Sequence, residues 1–368
     1  MIKTSIVASF AIATFLLPCA RALGEASLRS QFDLSDYIHE ARPVLAPLNH
    51  AIFKVAFSPD ETALALTTSS HETNDGPLTH LLVLDILGHR TRFETGLPIS
   101  TVHALEWSID GTLLLVQSPE GSWIVDVTKS TSCHVGDGSS TGAGFVSPEV
   151  FVIDHNSPRT TGLRFYDIRC NRVEEATVPE RARTIDTSVT AKIMALSGDY
   201  GDVRLLRGPD WKTYTTITIP GVGLGVKIFD SGKGVCAGQD AGRDHATLRC
   251  WDVGGAVPRP LTSWSAARNA RVGLVAAAAA ASLVVFLDSE RFYNRFTERE
   301  RVTFKRWVVW DAQRGIIVNQ LPAKTQVVRL GGELGIDFTM AYVSALSASG
   351  SLFAIGGAGT IEIYALTR

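Results

Sequence analysis

A chain of 368 residues that is 45% hydrophobic can bury a large core, and 35 Lys and Arg against 37 Asp and Glu leave no basic surplus. Duplex DNA and RNA are therefore excluded as partners, because phosphate backbones are held by clustered positive charge. Length alone permits two or three domains, although all-β barrels and propellers also run long as single units.

The first 22 residues, MIKTSIVASFAIATFLLPCARA, place Lys3 before an apolar run from Ile6 to Leu17, followed by Ala20-Arg21-Ala22. A charged, an apolar and a small-residue region in that order form a signal peptide cleaved after Ala22. The apolar run is too short to span a bilayer of about 30 Å. The alternative is acylation of Cys19, which Pro18 directly before it fits poorly. The expected location is thus exported, periplasmic or secreted. No asparagine stands in an Asn-x-Ser/Thr sequon, which favours a bacterial over a eukaryotic secretory protein. Residues 23–42 form an N-terminal arm, in which FDLSDYIHEA, 32–41, suits one helical turn or an extended lead-in equally well.

From residue 43 the chain is a succession of short strands. WSIDGTLLLVQSPEGSWIVDV, 107–127, alternates β-branched and aromatic runs with turns carrying Asp, Gly or Pro. The unit recurs. FKVAFSPDETALALTTSS, from 53, leads to THLLVLDI and ends Leu84-Asp85. GAGFVSPEVFVIDHNSPRTTGLRFYDI, from 142, ends Tyr166-Asp167. GVKIFDSGKGVCAG leads to ATLRCWDV and Trp251-Asp252, and KRWVVWDA closes the next unit at Trp310-Asp311. The last copy, VSALSASGSLFAIGGAGTIEIYAL, carries Ala365 where the others carry Asp. A period of about 40–45 residues with four short strands per repeat is the signature of a β-propeller.

The Ser-Pro-Asp turn at 58–60, the Gly-rich second turn and the aromatic-Asp pairs resemble WD40 repeats over essentially all of 43–368. The resemblance implies one all-β domain of seven four-stranded blades, closed by an N-terminal strand pairing into the last blade. ARPVLAPLNH, 41–50, occupies the place of that outer strand. Only two pairs are literal Trp-Asp, and the fourth unit, TSVTAKIMALSGDYGDVRLLRG, lacks both the turn and the terminal Asp. Quinoprotein-like and lactonase-like propellers stay open as alternatives. GLVAAAAAASLVV, 273–285, has helix-forming composition. Its place in the repeat nevertheless makes it an Ala-rich inner strand.

Four cysteines remain after cleavage: Cys133, Cys170, Cys236 and Cys250. An even count in an exported chain suggests disulfides, and four cysteines allow three connectivities. GVCAGQDAGRDHATLRC reads as a hairpin with its midpoint near Arg243, setting Cys236 opposite Cys250. Buried free thiols are the alternative. No C-x-x-C or H-x-x-x-H spacing supports a metal there.

Catalytic patterns carry little. Ser140 in GSSTG, 138–142, matches a nucleophile elbow, but strand residues follow where that motif needs a helix. GVGLG, 221–225, completes no phosphate-binding fingerprint, and Ser231-Gly232-Lys233 reads as a turn. Asp240, Asp244 and His245 form the one tight cluster of possible ligands, in a turn that favours Asp and Gly anyway. His50, His71, His80, His103 and His155 fall near strand ends. No cofactor, metal or catalytic residue is assigned.

The insertion DSERFYNRFTERERVTFKRW, 288–307, expands the turn between the second and third strands of the sixth unit. Arg291, Phe292, Tyr293, Arg295 and Phe296 give it the residue types that dominate interface hot spots. A plain hairpin extension with its aromatics packed on a neighbouring blade is the alternative. AKTQVVRLGGELGIDFTMAY, 323–342, and SHETNDGPLT, 70–79, are long loops expected on the same face. The expected function is a monomeric, non-enzymatic binding platform for an unidentified protein or ligand, acting through the face that bears 289–303 and 321–341. The alternative is a quinoprotein, lactonase or hydrolase type of enzyme with its site at the mouth of the central channel. An envelope structural role is disfavoured because nothing anchors the mature chain.

Overall fold

A computed structural model describes residues 26–33 and 51–367, apart from 69–70, 74–75, 137–141, 157–159, 180–181, 199–200, 220, 241–245, 266–269, 295–298 and 331–335. It is an all-β ring of seven four-stranded antiparallel blades, a seven-bladed propeller. Blade 1 comprises Ile52–Phe57, Ala63–Thr68, Gly76–Asp85 and Arg90–Leu97 from the axis outward, with His71–Thr73 paired onto its third strand. Blade 2 comprises Ala104–Trp107, Leu113–Ser118, Gly121–Asp126 and Thr131–Val135. Blade 3 runs from Ala143–Ser147 to Arg172–Pro179, blade 4 from Ala182–Ser188 to Lys212–Ile217, and blade 5 from Val222–Phe229 to Arg259–Ser265. Blade 6 holds Ala270–Ala277, Leu283–Asn294, Arg299–Asp311 and Ile316–Pro322. Blade 7 holds Val343–Leu346, Leu352–Gly357 and Thr360–Leu366.

The fourth strand of blade 7 comes from the other end of the chain. Ala26–Asp33 pairs antiparallel with Thr360–Leu366, from Ala26 opposite Leu366 to Asp33 opposite Thr360. Closure by an N-terminal strand is thus present, but it uses residues of the segment read as an arm, upstream of 41–50. The reason is where an apolar side chain can land: Phe32 is 1% exposed and packs with Ile52, Leu64 and Leu352 between blades 7 and 1. Residues 34–50, like residues 1–25 with the expected signal peptide and Cys19, lie outside the described residues.

There is no central core. Seven apolar clusters fill the seven spaces between neighbouring blades. A second strand is therefore covered on both faces, and Ala63–Thr68, Leu113–Ser118 and Leu352–Gly357 are buried at every position. The outer strand of blade 1, Arg90–Leu97, shows the alternation of a half-exposed edge.

Two turn devices repeat around the ring. In blades 1 and 2 the amides of Ala63 and Leu113 donate to the Ser58 and Ser108 hydroxyls at 2.9 Å, and each serine donates to Asp60 or Asp110. Blade 7 uses Ser347 in the same way, with the Leu352 amide at 3.0 Å. Blade 6 keeps only the backbone bond, from Ala278 to the Leu283 carbonyl. The alanine run therefore divides: the inner strand ends at Ala277, and 278–282 form the turn. The Asp that ends a third strand accepts amides of the next turn: Gly88 on Asp85, Lys129 on Asp126, Asn171 on Asp167, Gly254 on Asp252 and Arg314 on Asp311. These Asx turns reverse the chain into the outer strand. Blade 7 needs none, since its outer strand is not the next one in sequence.

Cys236 and Cys250 face one another on adjacent strands and are disulfide-bonded, with Cα atoms 4.1 Å apart. Cys133 is bonded to Cys170, tying the outer strand of blade 2 to the turn before the outer strand of blade 3. Denatured, unreduced mature protein should consequently titrate no free thiol; finding both Cys236 and Cys250 reactive would remove the hairpin bridge. Breaking the Cys236–Cys250 bond should lower unfolding stability by about 3 kcal/mol through the freed unfolded chain. Phe32→Ala should cost about 3–5 kcal/mol in urea unfolding, because it empties a buried aromatic site at the closure. A change under about 1 kcal/mol would place the closing strand elsewhere.

Candidate functional site

Each blade contributes one strand to the wall of the axial channel, and most residues of these strands are apolar and buried against a neighbouring blade. Charged residues interrupt that pattern on several inner strands, among them Lys54 in IFKVAF, Glu106 in ALEW, Asp186 in ARTIDTS and Lys227 in VGLGVKIF. They come from blades 1, 2, 4 and 5. The Lys227 side chain is 30% exposed and that of Asp186 19%.

Lys227 Nζ donates to Asp186 Oδ1 at 2.7 Å, and the Ile228 amide donates to Asp186 Oδ2 at 2.6 Å. Glu106 accepts from the Phe145 amide of blade 3 at 3.3 Å. The Thr187 hydroxyl faces Glu106 and helps stabilise its carboxylate, but closes no well-formed hydrogen bond. Gly144 makes this meeting possible. A Cβ there would come within 2.7 Å of Thr187 Oγ1 and 3.1 Å of Glu106 Oε2, so a side chain in blade 3 would part blades 2 and 4.

Enclosure and crowding displace the ionisation of Glu106, Lys54 and Lys227. Burial, reinforced by the Asp186 charge, pushes Glu106 up to about 8. Burial and then the neighbouring Lys227 pull Lys54 down to about 8. Burial also pulls Lys227 down, but its pairing with Asp186, aided by Glu106, outweighs that and leaves it above the ordinary lysine value. Burial thus favours the uncharged form of Glu106.

The residues proposed from sequence occupy other places. Arg291, Phe292 and Tyr293 lie on the second strand of blade 6 and pair with Val302, Arg301 and Glu300, so the insertion continues the blade hairpin beyond Ala270, where the inner strand begins. Arg295 and Phe296 lie outside the described residues. The loop after blade 6 forms a separate hairpin, Thr325–Leu330 with Ile336–Ala341, and His71–Thr73 pairs with Gly76–Leu78 in blade 1. Connections between second and third strands, and from one blade to the next, emerge on the same face of a propeller, so these three hairpins share a face. The opposite face carries the tight serine and Asx turns.

Ser140, Asp244, His245 and His50 lie outside the described residues. Residues 222–225 of GVGLG belong to the inner strand of blade 5, and Asp230–Gly232 form a short 3-10 turn. His80 is buried 3.5 Å from Glu94, away from the charged cluster. Among the described residues no group of three or more His, Cys, Asp or Glu side chains could hold a metal. No helix there is long and apolar enough to cross a membrane.

With this geometry in hand, the chain is similar to the crystal structure of the Cps50 (Swd1) β-propeller domain from Myceliophteria thermophila. The TM-score is 0.62 at 14% sequence identity, covering 93% of this chain and 100% of that one. That likeness establishes a WD40-like seven-bladed fold. No protein-family model matches the chain, and no curated protein does.

The shifted pair predicts a stability minimum in pH. Folded Glu106 keeps a proton that the unfolded chain releases near its ordinary 4.5, so stability falls from there to about pH 8. Folded Lys54 loses near pH 8 a proton that the unfolded chain keeps to its ordinary 10.5, so stability recovers over that range. Urea midpoints measured from pH 5 to 10 should dip near pH 8. Glu106→Gln should flatten the falling limb and Lys54→Met the rising one; unchanged limbs would place both groups in open water.

Proposed function

We propose that this protein is an exported, monomeric, non-enzymatic binding platform that engages a protein or ligand through the face bearing the hairpins of blade 6 and of the segment after it. The observation that carries this reading is the asymmetry of the ring. One face is closed by short turns whose donors and acceptors are spent on themselves, while the other carries three hairpins that the blades do not need. The blade 6 hairpin continues four paired residues past the start of its inner strand, from Arg291 opposite Val302 to Asn294 opposite Arg299. At about 3.3 Å per residue that is a projection of about 13 Å. Its sequence concentrates Arg291, Phe292, Tyr293, Arg295 and Phe296, residue types that combine large contact area with a polar handle. The two disulfides and the N-terminal signal sequence support export.

The test replaces 291–302 by a short Gly-Asn turn and compares the two proteins by quantitative cross-linking in extracts of the native compartment. Loss of a defined cross-linked species with an unchanged melting temperature is the expected result. Identical cross-linking profiles for both proteins would count against the hairpin face.

A further inference from the structure

On the plain face, turns between first and second strands tie one blade to the next. The Asp230 and Ser231 amides of blade 5 donate to the Ala281 and Ala279 carbonyls of blade 6, and the Ala280 amide donates to Ala348 of blade 7. Glu61 of blade 1 accepts from the Ser349 amide and hydroxyl of blade 7. Between blades 1 and 2, among the described residues, no such bond joins 58–62 to 108–112. A cleft of about 510 Å³ opens there instead. It runs from the adjacent turns Ser58-Pro59-Asp60 and Ser108-Ile109-Asp110 out to Arg92 and Phe93 on the fourth strand of blade 1. Its floor is apolar, with Val83, Phe93 and Trp107 drawn from the cluster between these two blades. The Trp107 indole is fixed by its Nε1 donating to the Ala56 carbonyl at 3.1 Å. Ile109 lines the same cleft and is 47% exposed.

The charge along this cleft has one prevailing sign. Asp60 accepts from the Ser58 hydroxyl at 2.5 Å and Asp110 from the Ser108 hydroxyl at 2.6 Å, and each also accepts from the amide and hydroxyl of the threonine that follows in its turn. These neutral donors orient both carboxylates and leave them their charge. Arg92 also acts on Asp60, but its guanidinium is committed to Asp85 at 3.3 Å and to the Thr62 hydroxyl at 3.0 Å. An apolar floor with a few oriented polar groups, at a volume within the roughly 300–1,000 Å³ of small-molecule sites, is the make-up of a ligand pocket. We propose that the cleft between blades 1 and 2 binds a small organic cation, an arylalkylamine whose apolar body rests on Val83, Phe93 and Trp107 and whose ammonium is received by the Asp60 and Asp110 carboxylates. Fixed aromatic rings offer such a body contact area, and ionised acceptors strengthen the hydrogen bonds of its head. The site lies among the tight turns, so it neither needs the hairpin face nor competes with a partner docked there.

The protein is titrated at pH 7 and fixed ionic strength into para-fluorophenethylamine and, separately, into its neutral alcohol analogue and para-fluorophenylacetate, with fluorine NMR as the readout. The expected result is saturable binding of one amine per chain, at least tenfold tighter than the alcohol, with no saturable shift for the acetate. Asp110→Asn keeps the acceptor oxygen that its turn uses and removes the charge. It should weaken amine binding at least tenfold, with the melting temperature and the affinity for the alcohol unchanged. Ile109→Arg, at an exposed position, should weaken the amine as much by setting a cation in the cleft, and serves should the asparagine variant fail to fold. Equal affinity for the three probes, no saturable shift with any of them, or unchanged amine affinity in both variants would overturn the site. Saturation by the peptide Lys-Phe-Lys without saturation by the amine would also overturn it, assigning the cleft to a partner's basic segment.

Discussion

Eight residues at the start of the described chain hold the ring shut. Without Ala26–Asp33, blade 7 would end at Thr360–Leu366 and present an open row of amides and carbonyls, the edge that folded sheets avoid exposing. The same strand delivers Phe32 into the gap between blades 7 and 1. Each blade is stabilised by what it buries against its neighbours, so an unfilled gap would leave two blades half-supported. Because the core is divided into seven inter-blade layers, closure makes them cooperative.

The turn chemistry explains why one face of the ring is plain. A serine hydroxyl that accepts the amide five residues on, and an aspartate that accepts the next two amides, saturate the polar groups of a reversal without outside help. Such turns tolerate little insertion. At the other end the chain lengthens after Pro322 and within blade 6.

The channel is built against the stability of the fold. Lys54, Glu106, Asp186 and Lys227 in the innermost strands cost desolvation that an apolar plug would avoid, and the Asp186–Lys227 pair returns part of it. Gly144 deepens the exception. It leaves a strand without a side chain so that groups of blades 2 and 4 can meet across blade 3. Departures of this kind from core-building rules concentrate where a molecule does something besides fold.

The sequence by itself determined the ring: short apolar strands, Asp-ended third strands and a regular period leave few ways to bury the chain other than blade against blade. It also suggested Cys236 opposite Cys250, because a hairpin centred near Arg243 puts them there, but the connectivity was decided by the folded chain. It misplaced the closing strand, since a fragment as short as SLRSQFD has no pattern of its own until Phe32 finds a gap to fill. The charged channel was visible only as single Lys, Glu or Asp residues in the middle of apolar strands, such as Lys54 in IFKVAF. Residues more than 170 positions apart, Lys54 and Lys227 among them, become neighbours only when the ring closes. Local patterning decides which way a strand faces, but convergence on a common axis is a property of the closed tertiary structure alone.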